Sequence, residues 1–175
     1  MTPQLAIACD VNRMRDRRAN RISRALLLAP FIFVSHFLEE SPRFVEWFNS
    51  HVVGGITAEL FWRVNISALV ITLIVVGIEW LSRSGLSLTL AMAWLSFLML
   101  ANAIFHVAGG LVERQYVPGL VTAVLLYFPY YVWLCVETLK SKRVNTAVLL
   151  LASGLGSIPM LVHGYLILFR GARLF

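Results

Sequence analysis

Ala25-Leu-Leu-Leu-Ala-Pro-Phe-Ile-Phe-Val-Ser-His36-Phe-Leu-Glu39-Glu40 is an apolar run that ends in an imidazole and two carboxylates. Charged groups in hydrocarbon are costly and persist when they are paired or useful, so a His-x-x-Glu-Glu at the end of such a run marks a functional site by default. Composition places the run in a bilayer. With 59 % hydrophobic and 14 % charged residues and a mean hydropathy of +0.77, the chain lacks the polar surface a soluble domain of this size needs.

A span takes about 20 apolar residues to cross roughly 30 Å of hydrocarbon. Five stretches qualify, roughly 22–40, 56–81, 86–110, 118–140 and 144–169, and they predict an all-α, polytopic membrane helical bundle. In the first, Ala25 to Leu38 covers only about 21 Å by helical rise, so this span needs protein neighbours or flanking arginines. It is expected to be retained, because a long basic region precedes it and His36 with two glutamates stands where a cleavable leader has small residues. Residues 1–20 read as a basic tail and residues 21–175 as one membrane domain.

Basic residues divide unequally between the two ends of the bundle. The arginines from Arg13 to Arg24, with Arg83, Lys140, Lys142 and Arg143, fall on one side, and Arg43, Arg114, Arg170 and Arg173 on the other. The positive-inside rule puts the N-terminus in the cytoplasm and the C-terminus outside. Anionic headgroups account for the net charge of +6, so the expected partner is membrane lipid and not nucleic acid. Cys9 in the tail and Cys135 in the fourth span are too far apart in depth to pair, and two cysteines make no zinc or disulfide framework.

Ser82 to Gly85 and Ser141 to Arg143 are short connections that predict antiparallel hairpins. The other two connections are longer. Phe44, Val45, Trp47 and Phe48 read as an interfacial segment after Pro42 and before Gly54-Gly55. Gly109-Gly110 to Tyr116-Val-Pro118-Gly119 reads as a shaped turn. Trp47, Trp62, Trp80, Tyr116 and Tyr165 fall near span ends, where amphipathic rings are favoured.

Polar groups converge at one end. His36, Glu39 and Glu40 share a helix face by their i, i+3 and i+4 spacing, and Asn102 and His106 repeat the i, i+4 relation. His106 is about 6 Å and His163 about 9 Å from the same end by helical rise, so the three histidines are expected at similar depth. Glu59 and Arg63 read as an i, i+4 ion pair at this end, and His51 as a solvated loop residue. Glu79 and Glu137, at the other end, read as headgroup anchors. Ser153, Gly154 and Gly156 read as a close helix contact.

Imidazoles and carboxylates in a low-dielectric cavity suit several roles. One is a zinc, iron or manganese site with an open position for water. Metal-free acid/base catalysis, haem ligation and structural hydrogen bonding between helices are the others. The first predicts a metal-dependent hydrolase acting on a lipid or other amphiphile, with its site near the face opposite the N-terminus. His36, Glu39, His106 and His163 are then candidate ligands, Glu40 the general base, with Glu39 beside it. Asn102 and Tyr116 orient substrate or a ligand imidazole, and the interfacial segment admits substrate from lipid. The competing class is a non-enzymatic membrane subunit or transporter component whose cluster binds an ion, a proton or a haem.

His36-Phe-Leu-Glu39-Glu40, His106 and Tyr116-Val-Pro118-Gly119, in that order, resemble the HxxEE-domain membrane proteins over most of the chain from span one to span four. The resemblance implies a membrane domain with a site at these residues and a suspicion of catalysis, and names no substrate. Prenyl-protein-processing intramembrane proteases are similar in using Glu-Glu with histidines on other helices. Here Arg43 lies one residue too close to the glutamates and Asn102 stands in place of a Phe, so their motif is not met. Membrane desaturases use about twice the four histidines present here, which makes a di-iron oxidase a poor match.

Overall fold

The computed structural model describes residues 20–174, so the basic tail, apart from Asn20, and Cys9 lie outside the described residues. In chain order the helices are α1 (Asn20–Glu40), α2 (Phe44–His51), α3 (Ala58–Ser82), α4 (Gly85–Glu113), α5 (Leu120–Ser141) and α6 (Thr146–Arg170). The described residues contain no strand. All but α2 are long and apolar enough to cross a membrane, and together they form an all-α bundle.

Local chemistry sets the ends. Thr57 accepts from Leu60 N, Asn145 accepts from Val148 N, and Ser84 and Ser87 cap α4 reciprocally, each satisfying donors that a helix start leaves open. Pro30 has no N–H for Leu26 O and crowds that carbonyl. The chain therefore tightens at Leu27-Leu28, where Leu27 N and Leu28 N donate three residues back to Arg24 and Ala25, and α1 resumes beyond. α4 runs a turn past its expected end. Gly109 and Gly110 stay helical because Leu168 and Leu120 pack close above them, and the helix stops at Arg114 in the left-handed region.

α4 is central. Over its most apolar window 56 % is buried, against 17 % for α3, so α3 is peripheral and leaves most of its apolar surface uncovered by the rest of the bundle. Leu88, Met92, Leu95 and Met99 of α4 meet Ile22 and Leu26 of α1 and Tyr127 and Leu134 of α5 in the main core. Gly156 lets α6 close on α4, since a Cβ there would stand 2.2 Å from Ala93 O and 2.3 Å from Ser96 Oγ. Gly154 faces open space, and Ser153 bonds Tyr131 OH at 2.7 Å.

The end of the bundle away from Glu40 departs from simple headgroup anchoring. Glu79 is 0 % exposed. Arg143 Nη1 and Nη2 each stand 2.7 Å from one of its oxygens, Ser87 Oγ donates at 2.6 Å and Ser23 Oγ at 2.9 Å. Glu137, also buried, takes Arg21 Nε and Lys140 Nζ at 3.0 Å each. These carboxylates tie helices together instead of reaching out to lipid headgroups.

At the Glu40 end, α2 is pinned across the bundle. Phe48 packs with Phe105 and Ile167, Trp47 Nε1 donates to Glu113 Oε1 at 2.6 Å, and His51 Nε2 lies 3.1 Å from the same oxygen. His51 is therefore an interhelical contact and not a solvated loop residue. Glu59 and Arg63 are both exposed and form no ion pair among the described residues.

Candidate metal-binding site

His36 and His106 are 0 % and 1 % exposed and Glu40 is 6 % exposed. An i, i+4 step on α1 stacks His36 above Glu40, and α4 brings His106 against both. Glu40 Oε1 stands 3.5 Å from His36 Nε2 and 3.1 Å from His106 Nε2. One ligand atom from each of the three lies within 4.8 Å of the others. Ligands at about 2.0–2.1 Å in a tetrahedral shell stand roughly 3.3 Å apart, so the two contacts to Glu40 have the lengths of tetrahedral edges.

Two further observations fit the group to a metal ion. His106 Nε2 lies off the line that a hydrogen bond to Glu40 needs, and both ring nitrogens lack a hydrogen-bond partner among the described residues. A buried polar atom left so is costly unless a ligand takes it. Gly119, at φ +89°, brings its backbone against the cluster, where a Cβ would meet His106 Cε1 at 2.7 Å, Glu40 Cγ at 2.9 Å and His36 Cε1 at 3.0 Å. Haem fits badly. The two imidazoles stand edge to face with centroids 4.9 Å apart, not across a slot that could take a porphyrin.

Glu39 departs from the expected ligand set. At about 100° per residue it points roughly 100° around α1 from Glu40, toward the start of α5. There its carboxylate accepts from Tyr116 OH at 2.7 Å, Val121 N at 3.0 Å, Thr122 N at 2.7 Å and Thr122 Oγ1 at 2.5 Å. It thus satisfies open donors at a helix N-terminus, where negative charge is favoured. Partial burial and the Glu39 carboxylate push the Tyr116 phenol up to about 12, so it remains a donor at neutral pH. Glu40, expected as general base, is the carboxylate in contact with both imidazoles.

Thr122 links the two halves of the motif. Its one hydroxyl proton goes to Glu39, so at 2.8 Å from His36 Nδ1 the oxygen accepts and Nδ1 carries the hydrogen. His36 Nε2 is then a bare lone pair. Asn102 Nδ2, 3.1 Å away, donates to it, and a metal that took this lone pair would displace that hydrogen bond.

His163 has the expected depth and a different azimuth. It stacks on Phe48 of α2 at 6.5 Å between centroids, and its Nδ1 accepts from Leu174 N at 3.1 Å. Helical rise sets depth and not rotation, and His163 stands outside the three-residue group. It does line a cleft of about 170 Å³ together with Glu40 and Asn102.

Sequence spacing does not point to Thr122 or Tyr127. Tyr127 is fully buried with its ring 4.1 Å from that of His36. It gets there through a π-helical turn over Ala123–Tyr127, and a second over Ser96–Ala101 sets the rotation of Asn102 and His106. Such turns insert a residue and cluster at functional sites. A hydroxyl three residues after Gly119 in an apolar run was the available signal for Thr122.

Fold and site together define an all-helical protein with five helices long and apolar enough to cross a membrane and a buried two-histidine, one-glutamate group at one end. The chain belongs to the family described as proteins of unknown function with an HXXEE motif, whose profile matches residues 27–134. That segment contains His36, Glu39, Glu40, Asn102, His106 and Thr122, and it stops before His163. Searches of curated proteins and of solved structures give no match.

Proposed function

We propose that this chain is a membrane-embedded, metal-dependent hydrolase acting on a lipid or other amphiphile, with the ion held by His36, Glu40 and His106. One observation carries the reading: a buried two-imidazole, one-carboxylate donor set, of the composition used by catalytic zinc with a position left for water, opens through Glu40 onto a largely apolar cleft. Nitrogen and oxygen donors suit zinc first, then iron or manganese. A bound ion supplies Lewis acidity and a water with a lowered pKa. In this reading Glu40 is a ligand, and His163, which also lines the cleft, is the imidazole that transfers the proton. Asn102, whose amide bond to His36 Nε2 a bound ion would displace, then donates toward the substrate in the cleft it lines, while Glu39 and Tyr116 hold the α5 start in place. The orientation proposed with it, N-terminus cytoplasmic and site near the other face, rests on the unequal basic residues.

Metal analysis of purified protein is expected to find about one zinc, iron or manganese per chain, lost in His36→Ala and His106→Ala. In phospholipid nanodiscs, release of fatty acid or headgroup is expected to stop on chelation and in Glu40→Gln. A protein that takes up none of the three metals overturns the reading. One that holds the ion and releases nothing from a broad lipid panel favours an ion-binding membrane subunit.

The Thr122 link makes a second prediction. Partners that orient a metal-bound histidine are typically worth about 10–100-fold in affinity, so Thr122→Val is expected to weaken zinc binding by that order. Thr122→Ser restores it, because the hydroxyl and not the methyl group bridges Glu39 and His36. Competition titration against a chromogenic chelator measures both, and equal affinities for Val and Ser would remove the hydroxyl from the site.

A further inference from the structure

The cleft beside the site has a polarity gradient along the bundle axis. Each of three helices contributes a polar residue near the Glu40 end and an apolar one deeper: Glu40 above Phe33 on α1, Asn102 above Phe97 on α4, His163 above Met160 on α6. On α3 the wall runs from Leu60 through Val64 to Ala68, about 12 Å by helical rise. Asn65 interrupts it, and its amide donates to Phe61 O at 3.0 Å within its own helix. The cleft is not enclosed, and Val64 on its α3 wall is 49 % exposed, at a depth where the solvent around a membrane bundle is hydrocarbon and not water.

A slot with apolar walls, open to hydrocarbon and polar at its surface end, matches the way a lipid stands in one leaflet. We propose that the cleft seats one acyl chain of a bilayer lipid, with the linkage to the headgroup beside Glu40 and Asn102 and the chain running toward Ala68. Ala68 then limits how deep the chain reaches and so which chain length fits. Binding of the chain stands on the cleft alone, while its role as substrate rests on the function proposed above.

The full chain in nanodiscs containing phosphatidylcholine with a diazirine-bearing acyl chain tests this. After illumination, mass-spectrometric mapping is expected to find label concentrated at Val64, Ala68 and Met160, above the level at Leu73 and Ile74, which face outward from α3 at 53 % and 55 % exposure. Ala68→Trp is expected to abolish the excess in the cleft while leaving the outward label and the unfolding temperature unchanged. If that variant does not fold, Val64→Trp narrows the open side from a position that carries no close packing, with the same loss expected. Label spread evenly between cleft and outward residues, or undiminished by a folded blocking variant, overturns the proposal. The readout needs no turnover. His106→Ala is expected to keep the cleft label, so loss of metal or activity and failure of the slot give different results.

Discussion

Gly119→Ala is expected to empty the site of metal and to lower stability by about 2–5 kcal/mol, adding left-handed strain to overpacking. Gly119 sits at φ +89°, which an L side chain adopts at a cost of about 1–2 kcal/mol. The added methyl carbon then meets His106, Glu40 and His36 at 2.7–3.0 Å. All three are buried, so relief comes only by moving the donor groups whose spacing defines the site. Gly54→Ala separates the two causes. Gly54 has φ +84° with nothing within 4 Å of its would-be Cβ, so that variant carries strain without collision. It is expected to lose about 1–2 kcal/mol and keep full metal content. Unfolding curves and metal analysis on both proteins decide the matter. Gly119→Ala with undiminished metal would mean that the ion, if one binds, does not sit among these side chains.

How much of this was legible beforehand divides along a physical line. Hydropathy reports the spans because apolar length is a one-dimensional property, and α3 and α6 begin and end close to where their apolar runs do. Helical spacing puts His36 and Glu40 on one face, and rise puts His106 at their depth. Rotation about the axis is a different quantity, set by packing against neighbours. That is why His163 turns toward Phe48 and Leu174, and why Glu39 and Glu40, adjacent in the chain, serve different partners. The π-helical turns before Asn102 and after Thr122 shift the azimuth of everything beyond them, and no residue in Ser96–Ala101 advertises the insertion. For Glu79 the reason is related. A glutamate near a span end resembles an anchor until Arg143, 64 residues away, is known to fold onto it.

Arg143→Ala is expected to cost about 3–5 kcal/mol, the usual penalty for stranding one partner of a buried ion pair. Glu79 is 0 % exposed, so without the guanidinium its carboxylate keeps, among the described residues, the hydroxyls of Ser23 and Ser87. Those contacts tie α1, α3 and α4 to the α5–α6 connection, and losing the charge loosens all of them. Replacing both partners, Glu79→Leu with Arg143→Met, is expected to recover most of the loss, because the cost lies in the uncompensated charge more than in the missing attraction. The pair is far from the His36–Glu40–His106 group. Ser23 and His36 are separated by about 20 Å of helical rise along α1, so the folded fraction of either variant is expected to bind metal as the unaltered chain does. Chemical unfolding in detergent, followed by metal analysis of the folded pool, reads both quantities. A single variant as stable as the original would show that water or lipid reaches Glu79 once Arg143 is gone. A drop in metal content of the folded pool would instead show that this end of the bundle sets the register in which α1 presents His36.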